Sequence, residues 1–371
     1  MGYAAELFSW CLKSMEYLGY LDESKRSRAY LLISVPALTI LPAAYNICFN
    51  WTGLGNAIYD IFIIMNLITT VTRAFAVITH QKKFADTYNE IDNWYNNLEH
   101  DDDKRTFYEL QKFTKRTVHF SKYIQRCFTC AAAFVSFQPI LTQYGNFVIS
   151  IAVPGVDLLK SPSFEIIYLL QAFWVIPVCT YSYIPSVNSF LILMSFGTFM
   201  LKDLQQRINN LSQMNEESAL KNIKKCVQFH MKIINFHDDL EELFSTTNLL
   251  DVGIYCIIMC MLLIYSMMEF NLALILKGIL ILCVQTVSLF QTIFYLANDF
   301  SDESLAIANA AYNTNWTQRD VKFRKYVLLI ITRSQTPLQF TAGGFKPLTM
   351  EILLQILRIS YSLFSFLKGT M

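Results

Sequence analysis

A chain of 371 residues with 54% hydrophobic, 15% aromatic and only 16% charged residues lies well below the roughly 25% charged content of a soluble domain. With a mean hydropathy of +0.34, it reads as an all-α membrane protein. A formal net charge of +1 leaves no electrostatic argument for nucleic acid or for an acidic substrate.

Residues 1–29 carry Leu7, Phe8, Cys11, Leu12, Met15 and Leu18 at helical spacing among Glu6, Lys13 and Glu16. The pattern predicts an amphipathic helix over 3–20, lying at the membrane interface on the cytoplasmic side. Charges interrupt every apolar run before residue 29, so no cleaved signal peptide is expected. Residues 30–201 then hold four spans. The first is Tyr30–Phe49, bent at Pro36 and Pro42, and the second is Ala57–Thr79. A polar helical stretch, 80–121, breaks in the acidic run Asp101–Asp103 and leads into the third span, Lys122–Gln143. Gly145, Pro154, Gly155 and Pro162 make 144–165 a structured extracellular loop. The fourth span, Glu165–Leu201, is kinked at Pro177 and Pro185 and is longer than a bilayer crossing, so one end projects. Residues 202–248 read as a charged helical anchor, broken around Ser212–Asn215. Residues 249–297 hold the fifth span, Leu249–Met268, and the sixth, Leu272–Ala297. Residues 298–340 form a second anchor, a helix pair with Tyr326, Leu329 and Ile330 on an apolar face expected to meet a partner.

Residues 341–371 end the chain on a separate helix. Gly343, Gly344 and Pro347 break the preceding helix, and Thr349 is placed to cap the new one. Ile352–Leu367 holds one strong charge, Arg358, over about 24 Å of helix. Adding Leu348–Glu351 brings it to spanning length. Ser360, Ser362 and Ser365 interrupt its apolar surface, as suits a helix facing protein or water as well as lipid, although serines bonded back to their own helix would look the same.

Orientation is set by the basic residues. Lys13, Lys25, Arg26 and Arg28 precede the first span, and Lys82 to Arg126, 201–246 and 298–347 carry most of the rest. The opposite side has only Lys160, Lys277 and Lys368. Basic residues stay in the cytoplasm, so seven spans place the N-terminus inside and the C-terminus outside. That is the reverse of a G-protein-coupled receptor, and the chain lacks an Asp/Glu-Arg-Tyr triplet after the third span and an Asn-Pro-x-x-Tyr in the seventh.

No Ser-His-Asp set, Walker loop or Gly-x-Gly-x-x-Gly is present, so no enzyme chemistry and no cofactor is expected. Cys127 and Cys130 have redox or zinc spacing, but they sit inside a span without a second pair and read as core packing. His230 and His237, beside Asp238 and Asp239, share a helical face that would suit a metal but reads as a solvated surface. Of the sequons at Asn50, Asn210 and Asn315, only Asn50 would lie outside. Polar residues inside the spans are the better lead, because each is costly without a role or a partner. Asn66 and Arg73 share the second span. Asn66, Gln138 and Gln171 fall in the outer half among Tyr59, Phe62, Phe134, Phe137, Tyr168, Phe173 and Trp174, with Gln285 and Thr286 mid-sixth. An aromatic cavity with few polar groups suits a small, mostly apolar ligand, and the same residues would equally serve interhelical packing.

The stretch Asn298-Asp299-Phe300-Ser301-Asp302-Glu303-Ser304, followed by Ala310-Ala311-Tyr312-Asn313-Thr314-Asn315-Trp316, resembles the region after the sixth span of insect odorant receptors. So do Arg333-Ser334-Gln335-Thr336-Pro337, Thr341-Ala342-Gly343-Gly344 and Ser360-Tyr361-Ser362, in the same order and spacing. Pro154-Gly155-Val156-Asp157 is similar to mosquito members. The resemblance implies a ligand-gated, non-selective cation channel in the plasma membrane of a sensory-neuron dendrite. Its odour-tuned subunits form heterotetramers with a common co-receptor and open on a small volatile ligand. The final helix would line the pore and the cytoplasmic helices would hold subunits together. The short loop at 202–246 resembles a tuning subunit. Phe366 and Thr370 fall where the co-receptor has apolar gate residues, with Ser362 on the same line and Lys368 at the outer mouth. Thr370 departs from the pattern, being polar where an aliphatic residue is usual. A seven-helix receptor without a pore, signalling through cytoplasmic partners, is the competing expectation.

Overall fold

The structure, a computed structural model, describes residues 6–50, 54–100, 104–142, 147–268 and 294–370. Most of the expected sixth span, including Gln285 and Thr286, lies outside the described residues. In chain order the helices are α1 (Ser9–Leu18), α2 (Arg26–Phe49), α3 (Leu54–Thr79), α4 (Gln81–His100), α5 (Lys104–Thr142) and α6 (Ser163–Leu170). They continue as α7 (Ile176–Asn210), α8 (Glu216–Met268), α9 (Leu296–Tyr312) and α10 (Val321–Ser334). A two-stranded hairpin, β1 (Thr341–Ala342) and β2 (Lys346–Pro347), precedes the last helix, α11 (Met350–Thr370). Among the described residues, four helical stretches are long and apolar enough to cross a membrane: Glu23–Phe49, Ala57–Thr79, Ser163–Gln213 and Glu216–Met261.

Several expected boundaries vanish because the helix simply continues. The polar stretch after Asp103 and the third span are one helix of 39 residues. The charged anchor and the fifth span are one helix of 53 residues, about 80 Å long. A change from polar to apolar surface alters what a helix faces, not its backbone hydrogen bonds. The expected kink at Pro177 appears as a π-helical turn, Gln171–Val175, just before it. Proline removes a donor and crowds the preceding turn, and a wider turn relieves both. The break near Ser212–Asn215 is present as a short 3-10 turn, Leu211–Gln213. Arg319 caps it by donating to the carbonyls of Leu211 at 3.1 Å and Met214 at 2.8 Å.

The N-terminal helix is a correction. The expected interfacial surface is instead packed on protein: Leu7, Phe8, Cys11, Met15 and Leu18 are buried, and α1 lies against α7. Phe8 meets Tyr88 at 4.8 Å between centroids, and the Tyr20 and Ser182 hydroxyls are 2.5 Å apart. An amphipathic stripe buries equally well in a bilayer surface or in a groove of the same fold, and here the groove was available.

The main core lies at the basic-rich end of the bundle, where the helices extend beyond spanning length. Phe190 of α7 meets Phe244 of α8 at 4.4 Å, and Phe340 meets Phe190 at 5.8 Å and Phe300 of α9 at 5.1 Å. Phe84 of α4 joins edge-on to Phe244 at 5.6 Å. Gly197 allows this approach of α7 to α9, since a Cβ there would sit 2.6 Å from the Phe300 ring. Each such aromatic pair adds about 0.5–1.5 kcal/mol beyond its buried area. This aromatic layer fixes the platform from which the hairpin and α11 depart.

Candidate functional site

The outer half of the bundle is built around α3, α5, α6 and the 147–162 loop. On α3, Tyr59, Phe62 and Asn66 are half-buried, with the two rings 6.4 Å apart. The Asn66 amide donates to the Phe62 carbonyl at 2.7 Å, so it is partly spent on its own helix. Phe62 packs beside Ile254 and Ile258 of α8. Gln171 is fully buried and binds the backbone of Ile149 twice, donating to its carbonyl at 2.9 Å and accepting from its N–H at 3.0 Å. Ala152 then donates to the Pro42 carbonyl of α2 at 3.1 Å. Gln171 thus pins the loop across the outer end of the bundle. The Tyr168 hydroxyl donates to the Ser136 carbonyl at 2.6 Å and ties α6 to α5. Phe134, Phe137, Phe173 and Trp174 are exposed. Thr286 and the Gln138 side chain lie outside the described ones. The structure therefore gathers Tyr59, Phe62 and Asn66 on one helix, uses Tyr168 and Gln171 as ties, and leaves four aromatics exposed.

Deeper in the bundle, Arg73 of α3 and Asp251 of α8 form a buried ion pair, with Arg73 Nε donating to Asp251 Oδ2 at 2.9 Å and Nη2 reaching the same oxygen. The guanidinium also lies over the Tyr183 ring of α7, 5.7 Å from its centroid. Three spans are thus joined at one point. The sequence singles out Arg73 and leaves it without a partner. Asp251 was findable, because it is the only charge in the run Leu249–Met268.

The junction before α11 is the second centre. Glu241 of α8 accepts from the Thr341 N–H at 3.0 Å and from its hydroxyl, and Gly343 donates to the Ser245 carbonyl at 3.0 Å. The hairpin is therefore latched to α8. Gly343 takes φ 63°, which favours glycine, and its ideal Cβ would stand 2.6 Å from Leu249 Cδ2, so Leu249 would also have to shift for any larger residue. Thr349 caps α11 as expected, accepting from the Ile352 N–H at 3.4 Å. Leu353, Ile356 and Ser360 turn inward, toward α8. Gln355, Ile359, Ser362 and Phe366 form a stripe on another side of α11, and all are exposed, Phe366 at 67%. The Lys368 and Thr370 side chains lie outside the described ones.

On α10 the expected partner face divides. Ile330 is 1% exposed and belongs to the subunit's own core, while Leu329 is 55% exposed and Tyr326 is half-buried beneath Lys224. One residue of offset is about 100° of helix, which puts Ile330 inside and Leu328 and Leu329 outside. The histidines also correct an expectation: neither lies on a solvated face. Burial and the nearby Arg333 push His230 down to about 4, and His237 is packed between Phe300 and Phe340 at 5.8 and 4.9 Å. Among the described residues no group of three His, Cys, Asp or Glu side chains is arranged to hold a metal.

The family model described as 7tm Odorant receptor matches residues 53–361. The chain belongs to this odorant receptor family. Its curated relatives include Odorant receptor Or2 of Anopheles gambiae, 26% identical over 336 residues with 86% of each chain covered. Odorant receptor 10 of Aedes albopictus is 28% identical over 332 residues, again covering 86% of each. Odorant receptor 30a of Drosophila melanogaster is 26% identical over 369 residues, covering 98% of this chain and 96% of the relative. The insect olfactory receptor OR5 from Machilis hrabei, solved in complex with eugenol, superposes with a TM-score of 0.77 at 17% identity over 94% of this chain and 91% of that one. The odorant receptor fold, a seven-helix membrane bundle, is thereby established for the chain, and no enzyme family is indicated.

Proposed function

We propose that this odorant receptor is the ligand-binding subunit of a ligand-gated, non-selective cation channel in the plasma membrane, assembled with co-receptor subunits as a heterotetramer. The observation that carries this reading is α11. It is latched to α8 at its base, buries one side on its own subunit, and leaves the stripe Gln355, Ile359, Ser362 and Phe366 uncovered. A mixed polar and apolar stripe that one subunit does not cover suits a helix facing a central axis, where water and neighbouring copies meet it. On this reading Lys368 and Thr370 lie at the mouth. A small volatile ligand binds the outer half, and eugenol in the related receptor fits that class. Tyr59, Phe62 and Asn66 are its first contacts, with Gln138 and Thr286 as further candidates, while Tyr168 and Gln171 act through the ties they make.

The direct test is co-expression with a co-receptor and recording from excised patches, without added nucleotide or G protein. Odorant-evoked current is expected. A response lost on excision and restored only by cytoplasmic components would favour the pore-less receptor instead. For assembly, Leu329→Asp places a charge on an exposed apolar side chain of α10 and is expected to abolish co-purification with the co-receptor while the subunit stays folded. Undiminished co-purification would remove α10 from the interface.

A further inference from the structure

One side of α5 changes character along its length. Lys112, Lys115, Arg116, Lys122 and Arg126 are all exposed, with His119 among them. At about 100° per residue these six side chains share roughly 120° of the helix. Past Arg126 the same side continues as Cys127, Cys130, Phe134 and Phe137, all exposed, and no further charge occurs before Thr142.

The opposite side is used by the fold. Leu110, Thr114, Ser121 and Gln125 are buried. Phe107 meets Tyr95 of α4 at 5.6 Å, and Phe113 meets Phe199 of α7 at 5.5 Å. Ser121 Oγ lies 3.9 Å from Cys11 Sγ, so α1 packs on this side as well. Glu109 is the only acidic residue of α5, and it is half-buried at the edge of the basic face. Among the described residues none of the five Lys and Arg side chains makes an ion pair. Lys112 with Arg116, and Lys122 with Arg126, are like charges four apart, an arrangement that weakens a helix unless an anion lies across it. The tendency of basic residues to stay in the cytoplasm accounts for their side of the membrane, but not for their gathering on one face of one helix.

We propose that the basic face of α5 binds a phospholipid whose headgroup carries phosphates beyond its phosphodiester, a polyphosphorylated inositol lipid of the adjoining leaflet. The acyl chains run along the uncharged part of the same side. Lys122 and Arg126, at the edge of the uncharged stretch, take the phosphodiester. Lys115 and Arg116 stand about 10 Å further along the axis and take the ring phosphates, which a guanidinium holds through two parallel N–H···O bonds. A headgroup with a single net negative charge engages the first tier alone.

The test uses the full chain in neutral detergent, titrated with dioctanoyl phosphatidylinositol 4,5-bisphosphate, dioctanoyl phosphatidylserine and free inositol 1,4,5-trisphosphate, with bound molecules counted by native mass spectrometry. The bisphosphate lipid should bind most tightly, a ranking that needs no variant. Lys122→Gln with Arg126→Gln should weaken both lipids, by about fivefold per residue and about twenty-five-fold for the pair. Lys115→Gln with Arg116→Gln should weaken the bisphosphate lipid to a similar extent and leave phosphatidylserine unchanged. Lys221→Gln with Lys225→Gln removes the same charge from exposed positions of α8 and should change neither. All six substituted side chains are exposed, so each variant should elute from size-exclusion as the wild type does. An equal loss in the α8 pair would reduce the effect to net charge. Equal affinity for the two lipids would remove the second tier, and inositol trisphosphate binding as tightly as the lipid would make this a site for soluble phosphates. Any of these results overturns the proposal.

Discussion

Asp251→Ala is expected to leave little folded protein. The change strands the Arg73 guanidinium in the middle of three packed helices, 1% exposed, with the Tyr183 ring as its remaining neighbour of note. Removing one partner of a buried pair costs about 3–5 kcal/mol, because the other charge is left uncompensated. Against a total stability of about 5–15 kcal/mol, that is a third or more of the whole. Replacing both residues, Arg73→Leu with Asp251→Leu, removes the stranded charge and should recover most of the loss. Thermal unfolding followed by size-exclusion of detergent-solubilised protein separates the cases. A single variant that melts with the wild type would mean that Arg73 finds another counter-charge.

Gly343→Val is expected to disable the link between α8 and α11. The residue sits at φ 63°, its added Cβ would stand 2.6 Å from Leu249 Cδ2, and its N–H holds the Ser245 carbonyl. A side chain in that backbone region costs on the order of 1–3 kcal/mol before the contact with Leu249 is counted. Gly344 gives an internal control: it has φ 76° but nothing within 4 Å of its ideal Cβ. Gly344→Ala therefore measures the backbone cost alone, and Gly343→Ala adds the contact. Odorant-evoked current should fall most in Gly343→Val, less in Gly343→Ala and least in Gly344→Ala, at equal surface expression. Equal effects from Gly343→Ala and Gly344→Ala would make the approach to Leu249 irrelevant.

The division between legible and illegible features of the chain is a physical one. The four spanning stretches found among the described residues, the break near Leu211 and the Thr349 cap were legible because they depend on local signals: apolar runs, prolines and a capping hydroxyl. Helix continuity across the polar-to-apolar joins was not, because hydropathy reports the surroundings of a helix rather than its ends. Partnerships between distant residues were illegible because no local signal carries them. Asp251 stands out as the lone charge of its own span, but nothing near Thr341 points to Glu241, and nothing near Gln171 points to the backbone of Ile149. The outer-half set illustrates the limit. Its composition suits a small apolar ligand as well as interhelical packing, and composition cannot tell an amide that faces a ligand from one that pins a loop. On α10, a one-residue step separates buried Ile330 from exposed Leu329, which a list of apolar residues does not distinguish.

On the proposed function, α11 contributes to a conduction path. Phe366 is the large side chain on its exposed stripe, one turn beyond Ser362, and a closed apolar constriction blocks ions by excluding water. The measurement that tests this most directly is single-channel recording of Phe366→Ser co-expressed with a wild-type co-receptor. A conduction path lined by α11 requires a raised open probability without odorant, or an altered ion selectivity, with the odorant concentration dependence little changed. Conductance, selectivity and resting open probability all identical to the wild type would place the path elsewhere and contradict the account.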